Sequence, residues 1–390
     1  MKISFYKKID SKIIVYCLLW IWIFSNCFTA IDSNWLPALK GTYSGLHIHN
    51  IVAIFLVIYT ITRGKLKFPK RYIYIFMLFF EMTIVWLFNS FKWGISSGYI
   101  SVVYGIFMMI CIASMREYIN MKMVSEIMES ISIIMTCCIL INILLNIGDV
   151  FSSIRAGWGH PKVEVFFGGG HNVEAVWMTM FGVFVRKKWK YRYWLFTCFL
   201  SAIYLSRTGI LVNILLLFVY LFQDGRRKIL QYSLWISLLI LVAGMVLYVT
   251  GLYEYIWNRF ARTGVEIGSM SRLKIWTAML NGMIDKPLGI GFGNTMKFLR
   301  ETYCLKQNEN NAHNIYLQYL LENNIIGFLL FMYGWVKLAM QQIKSRFLNP
   351  CGTFLILYAF QGLFQMQVKE PFLFLMLAFY FLITYDCENC

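Results

Sequence analysis

Charge is scarce in this chain: charged residues fill 14% of its 390 positions, against 59% for hydrophobic ones. A soluble globular chain carries about a quarter charged residues, so a water-facing surface along most of the length is excluded. The mean hydropathy is +0.61. Acidic groups are scarcer still, 19 against 36 Lys and Arg, leaving a net charge of +17. No internal repeat is visible, which argues against the two related halves of a secondary transporter. No two histidines share i, i+4 spacing with a carboxylate, so no metal site is expected. The first apolar run, Ile13–Phe28, follows Lys2, Lys7, Lys8 and Lys12 and lacks a small-residue cleavage site, which reads as an uncleaved anchor.

What is present are apolar runs of roughly 15 to 22 residues, separated by short charged segments, the pattern of serial membrane helices. About twelve spans are expected: 13–29, 48–62, 72–90, 99–114, 126–146, 173–185, 193–206, 209–222, 230–250, 314–338, 350–366 and 371–385. With no water in the bilayer core, each peptide group there must bond within its own helix. The fold class predicted is an all-α polytopic membrane protein, one multi-pass domain over residues 1–390, with a long extracytoplasmic loop at 253–312. Cys17, Cys111, Cys137, Cys138 and Cys198 fall inside apolar runs and read as packing residues.

The cations form no single patch, which argues against a nucleic-acid partner; they cluster between apolar runs. Alternate connections together with the N-terminus hold 22 of the 36, including Arg63–Arg71, Arg186–Arg192 and Arg226–Lys228. Of the remaining 14, 8 lie in the segment Tyr253–Ala312. Lys and Arg excess in short loops marks the cytoplasmic side, so both termini are expected there and the long loop outside. One joint decides this topology. Read as a single helix, Tyr193–Phe222 would reach about 45 Å, overshooting a core of about 30 Å, and would put two basic clusters on opposite faces. A hairpin with its tip at Ser206-Arg207-Thr208-Gly209 satisfies both constraints.

That hairpin would leave Arg207 about 9 Å below the outer edge of the core, where an arginine needs a carboxylate or a cavity holding an anion. The plain alternative is an ion pair with Glu81 or Glu174, or an arginine snorkelling to the interface. In the long loop, Ser271 would cap a helix presenting Leu273, Trp276, Leu280 and Met283 on one face and stopped by Pro287 and Gly289. Arg272 would then sit in the first turn, where a cation opposes the helix dipole unless it serves an anion. Arg259 and Arg262 stand upstream; for all three arginines a solvated loop charge is the alternative.

Gly289-Ile290-Gly291-Phe292-Gly293-Asn294 has neither the preceding strand nor the acidic residue of a dinucleotide loop, and reads as a flexible turn between amphipathic elements. His313 opens the span at 314. It is either an interfacial side chain or, kept neutral by nearby guanidinium groups, a general base toward a sugar hydroxyl. His171 and Asn172 close the preceding outer loop, Ile147–His171, with Arg155 upstream.

Taken in order, Leu205-Ser206-Arg207-Thr208-Gly209, Ser271-Arg272-Leu273-Lys274-Ile275-Trp276, Pro287-Leu288-Gly289-Ile290-Gly291-Phe292-Gly293, and His313-Asn314-Ile315-Tyr316-Leu317-Gln318-Tyr319-Leu320-Leu321-Glu322 with Ile325-Ile326-Gly327 form a recognisable series. Over about its C-terminal half the chain resembles the O-antigen ligase and O-antigen polymerase superfamily of bacterial envelope glycosyltransferases. Asn323-Asn324 depart from the pattern, standing where that family usually has a glycine. The resemblance implies a GT-C-like membrane fold and an inverting, metal-independent glycosyl transfer without cofactor, from a glycan on undecaprenyl pyrophosphate. It implies that Arg207 and Arg272 hold the pyrophosphate and that His313 activates the acceptor hydroxyl. Arg155, His171, Asn172, Arg259, Arg262 and Asn314 are further substrate contacts to consider.

The leading expectation is a polymerase of lipid-linked O-antigen or capsule repeat units in a bacterial inner membrane, with its site facing the periplasm or exterior. Membrane lipid, a chain-length regulator and a flippase would be its partners. The chemical alternative is the ligase, which moves finished polymer to lipid A-core; the non-enzyme alternatives are a polysaccharide flippase or a scaffold.

Overall fold

A computed structural model describes residues 11–27, 48–62, 72–94, 96–156, 163, 165–167, 170–225, 245, 248–249, 251, 254, 267–305, 312–364 and 371–386. Fourteen α-helices stand among them and no strand. They are α1 (Ser11–Cys27), α2 (Ile48–Thr62), α3 (Ile73–Trp93), α4 (Ser97–Ser114), α5 (Met121–Leu145), α6 (Ile147–Ala156), α7 (His171–Phe181), α8 (Lys190–Ile203) and α9 (Arg207–Asp224). The series continues with α10 (Ile267–Asp285), α11 (Thr295–Tyr303), α12 (Ile315–Lys344), α13 (Pro350–Gln361) and α14 (Pro371–Asp386).

Several helices start where a side chain accepts from the first free amides: Ser96 from Tyr99 N, Asn120 from Met123 N, Ser206 from Gly209 N and Asn349 from Gly352 N, the last with Pro350 in the first turn. Large apolar side chains face outward; Phe88 is 82% exposed and Leu145 80%. So much apolar surface is intolerable in water and natural in lipid. Three described helices, α5, α9 and α12, are long and apolar enough to cross a membrane, and the shorter apolar helices include most of α1 to α4, α13 and α14. The chain is therefore a helical membrane protein.

The expected hairpin is present. Helices α8 and α9 meet through Tyr204, Leu205 and Ser206, so the turn falls just before the expected tip and Arg207 is the first residue of α9. Their far ends are locked by a buried ion pair, Lys190 Nζ to Asp224 Oδ1 at 2.9 Å, while Tyr191 Oη donates to Asp224 Oδ2 at 3.0 Å. We call the end of the bundle at the Arg207 turn the upper end and the Lys190–Asp224 end the lower.

Five expectations need correction. The first stretch of the 147–171 loop is helix α6. Helix α10 begins at Ile267, so Ser271 is not its cap, Arg272 lies beyond the first turn, and the dipole argument for Arg272 falls. The buried face of α10 is Ile275, Ala278 and Met279, whereas Leu273 and Leu280 are exposed, because α10 lays that face on α11 and α12.

The fourth is the span at 314–338, which is broken. Asn323 and Asn324 leave helical geometry, Asn324 at φ 62°, ψ 179°. Residues twelve apart in a straight helix are about 18 Å apart, yet the rings of Tyr319 and Phe331 stack at 4.2 Å. Helix α12 is thus two arms, 315–322 and 325–344, folded sharply on one another. The second arm alone, twenty residues and about 30 Å, matches the bilayer core. The expected span at 230–250 lies almost wholly outside the described residues.

The glycine loop closes this break. The bend strips Leu321 and Glu322 of their helical donors, and Ile290 N and Gly291 N replace them at 3.1 and 3.0 Å. Gly289 has φ 83°, and a Cβ there would meet Glu322 O at 2.7 Å, so only glycine allows the approach. With Ile290 and Phe292 buried, this segment is a packed clamp rather than the flexible turn expected.

Candidate active site

The upper turn of the α8–α9 hairpin is built on a buried polar network. Asn213 donates to Thr179 Oγ1, Ser201 Oγ and Gly209 O within 3.0 Å and accepts from Thr197 Oγ1 at 2.6 Å. A Cβ on Gly209 would come within 2.6 Å of Ser201 Oγ, so the missing side chain lets the helices close at the tip. Leu205 is held at φ 51°, a strained conformation for a branched residue, and half-buried Arg207 follows two positions later.

Beside this turn, fully buried Glu174 accepts from Tyr204 Oη at 2.7 Å and from the amides of Phe166 and Phe167 at 2.5 and 3.1 Å. Its carboxylate thereby pins the segment before α7 against the tip. His171, the first residue of α7, contacts Val163 O through Nε2 at 2.9 Å, so Nε2 is the donor, and it packs edge-on against Tyr204. Asn172 follows, half-buried. The other carboxylate considered for Arg207, Glu81, stands at the α12 break, where it accepts from Asn324 Nδ2 at 3.0 Å.

His313 is presented differently. It sits at φ 54° directly before Asn314, whose Oδ1 caps the first arm of α12 by accepting from Tyr316 N and Leu317 N, both at 3.0 Å. Ile315 N donates to Gly362 O at 2.8 Å, fastening this arm to the upper end of α13. On the other side Trp276 Nε1 donates to Ala312 O at 3.1 Å. Arg272 lies one turn before Trp276 on α10, about 6 Å along the axis. Its position is thereby tied to His313.

Helix α13 connects the two halves of the site. At the lower end Gln223 Nε2 donates to Phe347 O at 2.7 Å, so α9 and α13 run antiparallel from a shared base. Arg207 stands about 24 Å above that base along α9, and the end of α13 at Gln361 about 17 Å above Pro350, so both lie toward the same end. Arg207, His171 and Asn172 therefore stand at the upper end, and His313 and Arg272 lie toward it by way of Gly362 and Trp276. The N-termini of α7 and α9 lie close together there, His171 against Tyr204, and that of α12 is fastened to the end of α13. Helix N-termini and guanidinium groups both favour an anion. Arg207 in the first turn of α9 is the cation placed against a helix dipole, the position expected of Arg272.

The described residues leave other candidates out. The side chain of Arg155, near the end of α6, and all of Arg259 and Arg262 lie outside them. No three His, Cys, Asp or Glu side chains gather to hold a metal among the described residues. Gln361 is a residue that the sequence reading missed. It is fully buried near the top of α13, and neither amide atom has a partner among the described residues. The rows Phe181–Phe354 and Trp177–Tyr358 point it toward the first turn of α7. Nothing in an apolar span marks such a glutamine. Cys387 and Cys390, a CxxC pair that reading the cysteines as packing residues passes over, also lie outside the described residues.

A helical membrane protein with cations, histidines and helix N-termini at one end is the class these features define. Residues 193–332 match the family model described as O-antigen ligase, a stretch that contains Arg207, Arg272 and His313. Over this stretch, about a third of the chain, the sequence is similar to that family, and the match supports a function of the O-antigen ligase/polymerase type. No curated protein matches the chain.

Proposed function

We propose that this protein is a polymerase of lipid-linked polysaccharide repeat units, O-antigen or capsule, acting at the outer face of a bacterial cytoplasmic membrane. In this reading about twelve spans put both termini in the cytoplasm, and the upper end opens outward. The observation that supports it most is the placing of Arg207 beside two helix N-termini, with Arg272 tied through α10 to the residue before His313, which is held at φ 54°.

The donor is a glycan on polyprenyl pyrophosphate. The acceptor hydroxyl oxygen attacks the anomeric carbon, the bond from that carbon to the pyrophosphate oxygen breaks, and the electron pair leaves with the pyrophosphate. The hydroxyl proton passes to the His313 imidazole, with inversion at the anomeric carbon. Arg207 and Arg272 offset the charge that grows on the leaving group; guanidinium forks match phosphate oxygens and keep their protons. No metal is required in this scheme. Asn314 acts through His313 by fixing the helix start behind it.

The ligase is the second reading, favoured by the description of the matching family model. Cells expressing Arg207→Ala, Arg272→Ala or His313→Ala in place of the native chain should make no polymer while the protein stays inserted and abundant. Single repeat units on the lipid core in those cells fit the polymerase; full polymer stranded on polyprenyl pyrophosphate fits the ligase. Normal polymer in all three would refute both.

A further inference from the structure

A cavity of about 400 Å³ lies among α3, α4, the second arm of α12 and α14, below the candidate site. Its roof is the Tyr319–Phe331 stack produced by the α12 bend. Under that roof the walls are apolar: Met82, Val102, Ile106 and Phe374 line this part, the last seated in the notch left by Gly105. The lower end is polar. Tyr74, Lys337, Gln341 and Tyr380 line it, Tyr380 Oη donating to Gln341 Oε1 at 2.6 Å and Tyr74 Oη accepting from Gly334 N at 3.0 Å.

The volume is that of a small-molecule pocket, and the gradient from hydrocarbon walls to a lysine at one end is the profile of a single-chain amphiphile. Lys337 is exposed two turns before the end of the second arm, which finishes at Lys344 with Arg346 just beyond it. An ammonium at that depth attracts an anionic headgroup.

We propose that this cavity binds one acyl chain of an anionic phospholipid from the leaflet at the lower end, with Lys337 on its phosphate. Only the naming of that leaflet as cytoplasmic rests on the proposed topology; the site itself is independent of the glycosyl transfer.

The test uses the full chain in nanodiscs of phosphatidylcholine holding a trace of phosphatidylglycerol with a diazirine on one acyl chain. After irradiation, adducts should concentrate on cavity residues such as Phe331, Phe374 and Leu377, above the level at lipid-facing Phe88 and Leu145. Unlabelled phosphatidylglycerol should compete and added phosphatidylcholine should not. Lys337→Glu should reduce cavity labelling about fivefold or more. Leu377→Trp should remove it while leaving labelling of Phe88 intact, which reports a folded chain. Uniform labelling around the bundle, loss of the headgroup preference, or better competition by a polyprenyl phosphate would overturn the proposal; the last would give the cavity to the donor's tail.

Discussion

Replacing Asn324 by alanine and by glycine separates the contributions that hold the bend in α12. At φ 62° and ψ 179° the backbone sits in a region that glycine adopts freely and side chains disfavour. The wild-type asparagine offsets this with its side chain, accepting from Ile326 N at 2.8 Å and Gly327 N at 3.2 Å as the cap of the second arm, and donating to Glu81 Oε1 at 3.0 Å. Alanine keeps the strain and loses the cap, about 1 kcal/mol, and the bond to the carboxylate, about 1.5–3 kcal/mol. Asn324→Ala should therefore destabilise by about 2.5–4 kcal/mol. Glycine loses the same bond, substitutes for the cap at a cost of tenths, and relieves about 1–2 kcal/mol of strain. Asn324→Gly should be the milder change by about 2 kcal/mol, even though it removes more atoms. Thermal unfolding in micelles at matched detergent gives the order. A double-mutant cycle with Glu81→Leu should show coupling of about 1–2 kcal/mol. Equal destabilisation by alanine and glycine, or no coupling to Glu81, would refute this account of the bend.

Two other buried polar groups give measurable outcomes. Lys190→Ala strands the carboxylate of Asp224 at the lower end of the hairpin and should cost about 3–5 kcal/mol in thermal unfolding, while the Lys190→Ala/Asp224→Ala pair should cost less; a double variant as damaged as the single would show that the ion pair matters little. Gln361→Leu removes an amide without partners among the described residues and should raise stability by about 1 kcal/mol while lowering transfer activity, and a loss of stability would show that the amide is satisfied.

The sequence made the scale of the fold legible because bilayer thickness limits helix length. The two basic clusters flanking Tyr193–Phe222 were enough to require a turn near Arg207, and α2 spans the residues expected of it. The break in α12 was less legible. It contains neither proline nor glycine, and its only trace was Asn323-Asn324 in place of the usual glycine; Asn324 supplies the same positive φ and adds a cap. Helix α6 was hidden because a helix of ten residues lacks a full-length apolar run. The place of Arg207 at the turn was legible because an arginine is costly inside an apolar hairpin. Gln361 and the Trp276–Ala312 bond depend on which helices pack together, and spacing along one chain does not encode that.

Purified protein in vesicles with a polyprenyl-pyrophosphate-linked repeat unit tests most directly whether Arg207, Arg272 and His313 perform glycosyl transfer together. The quantity measured is the rate of polyprenyl pyrophosphate release with growth of the glycan. His313→Ala should lower that rate about 10²–10⁴-fold and each arginine variant about 10²–10³-fold, with helical content and melting temperature unchanged. Release at the native rate from all three variants would contradict a shared catalytic role.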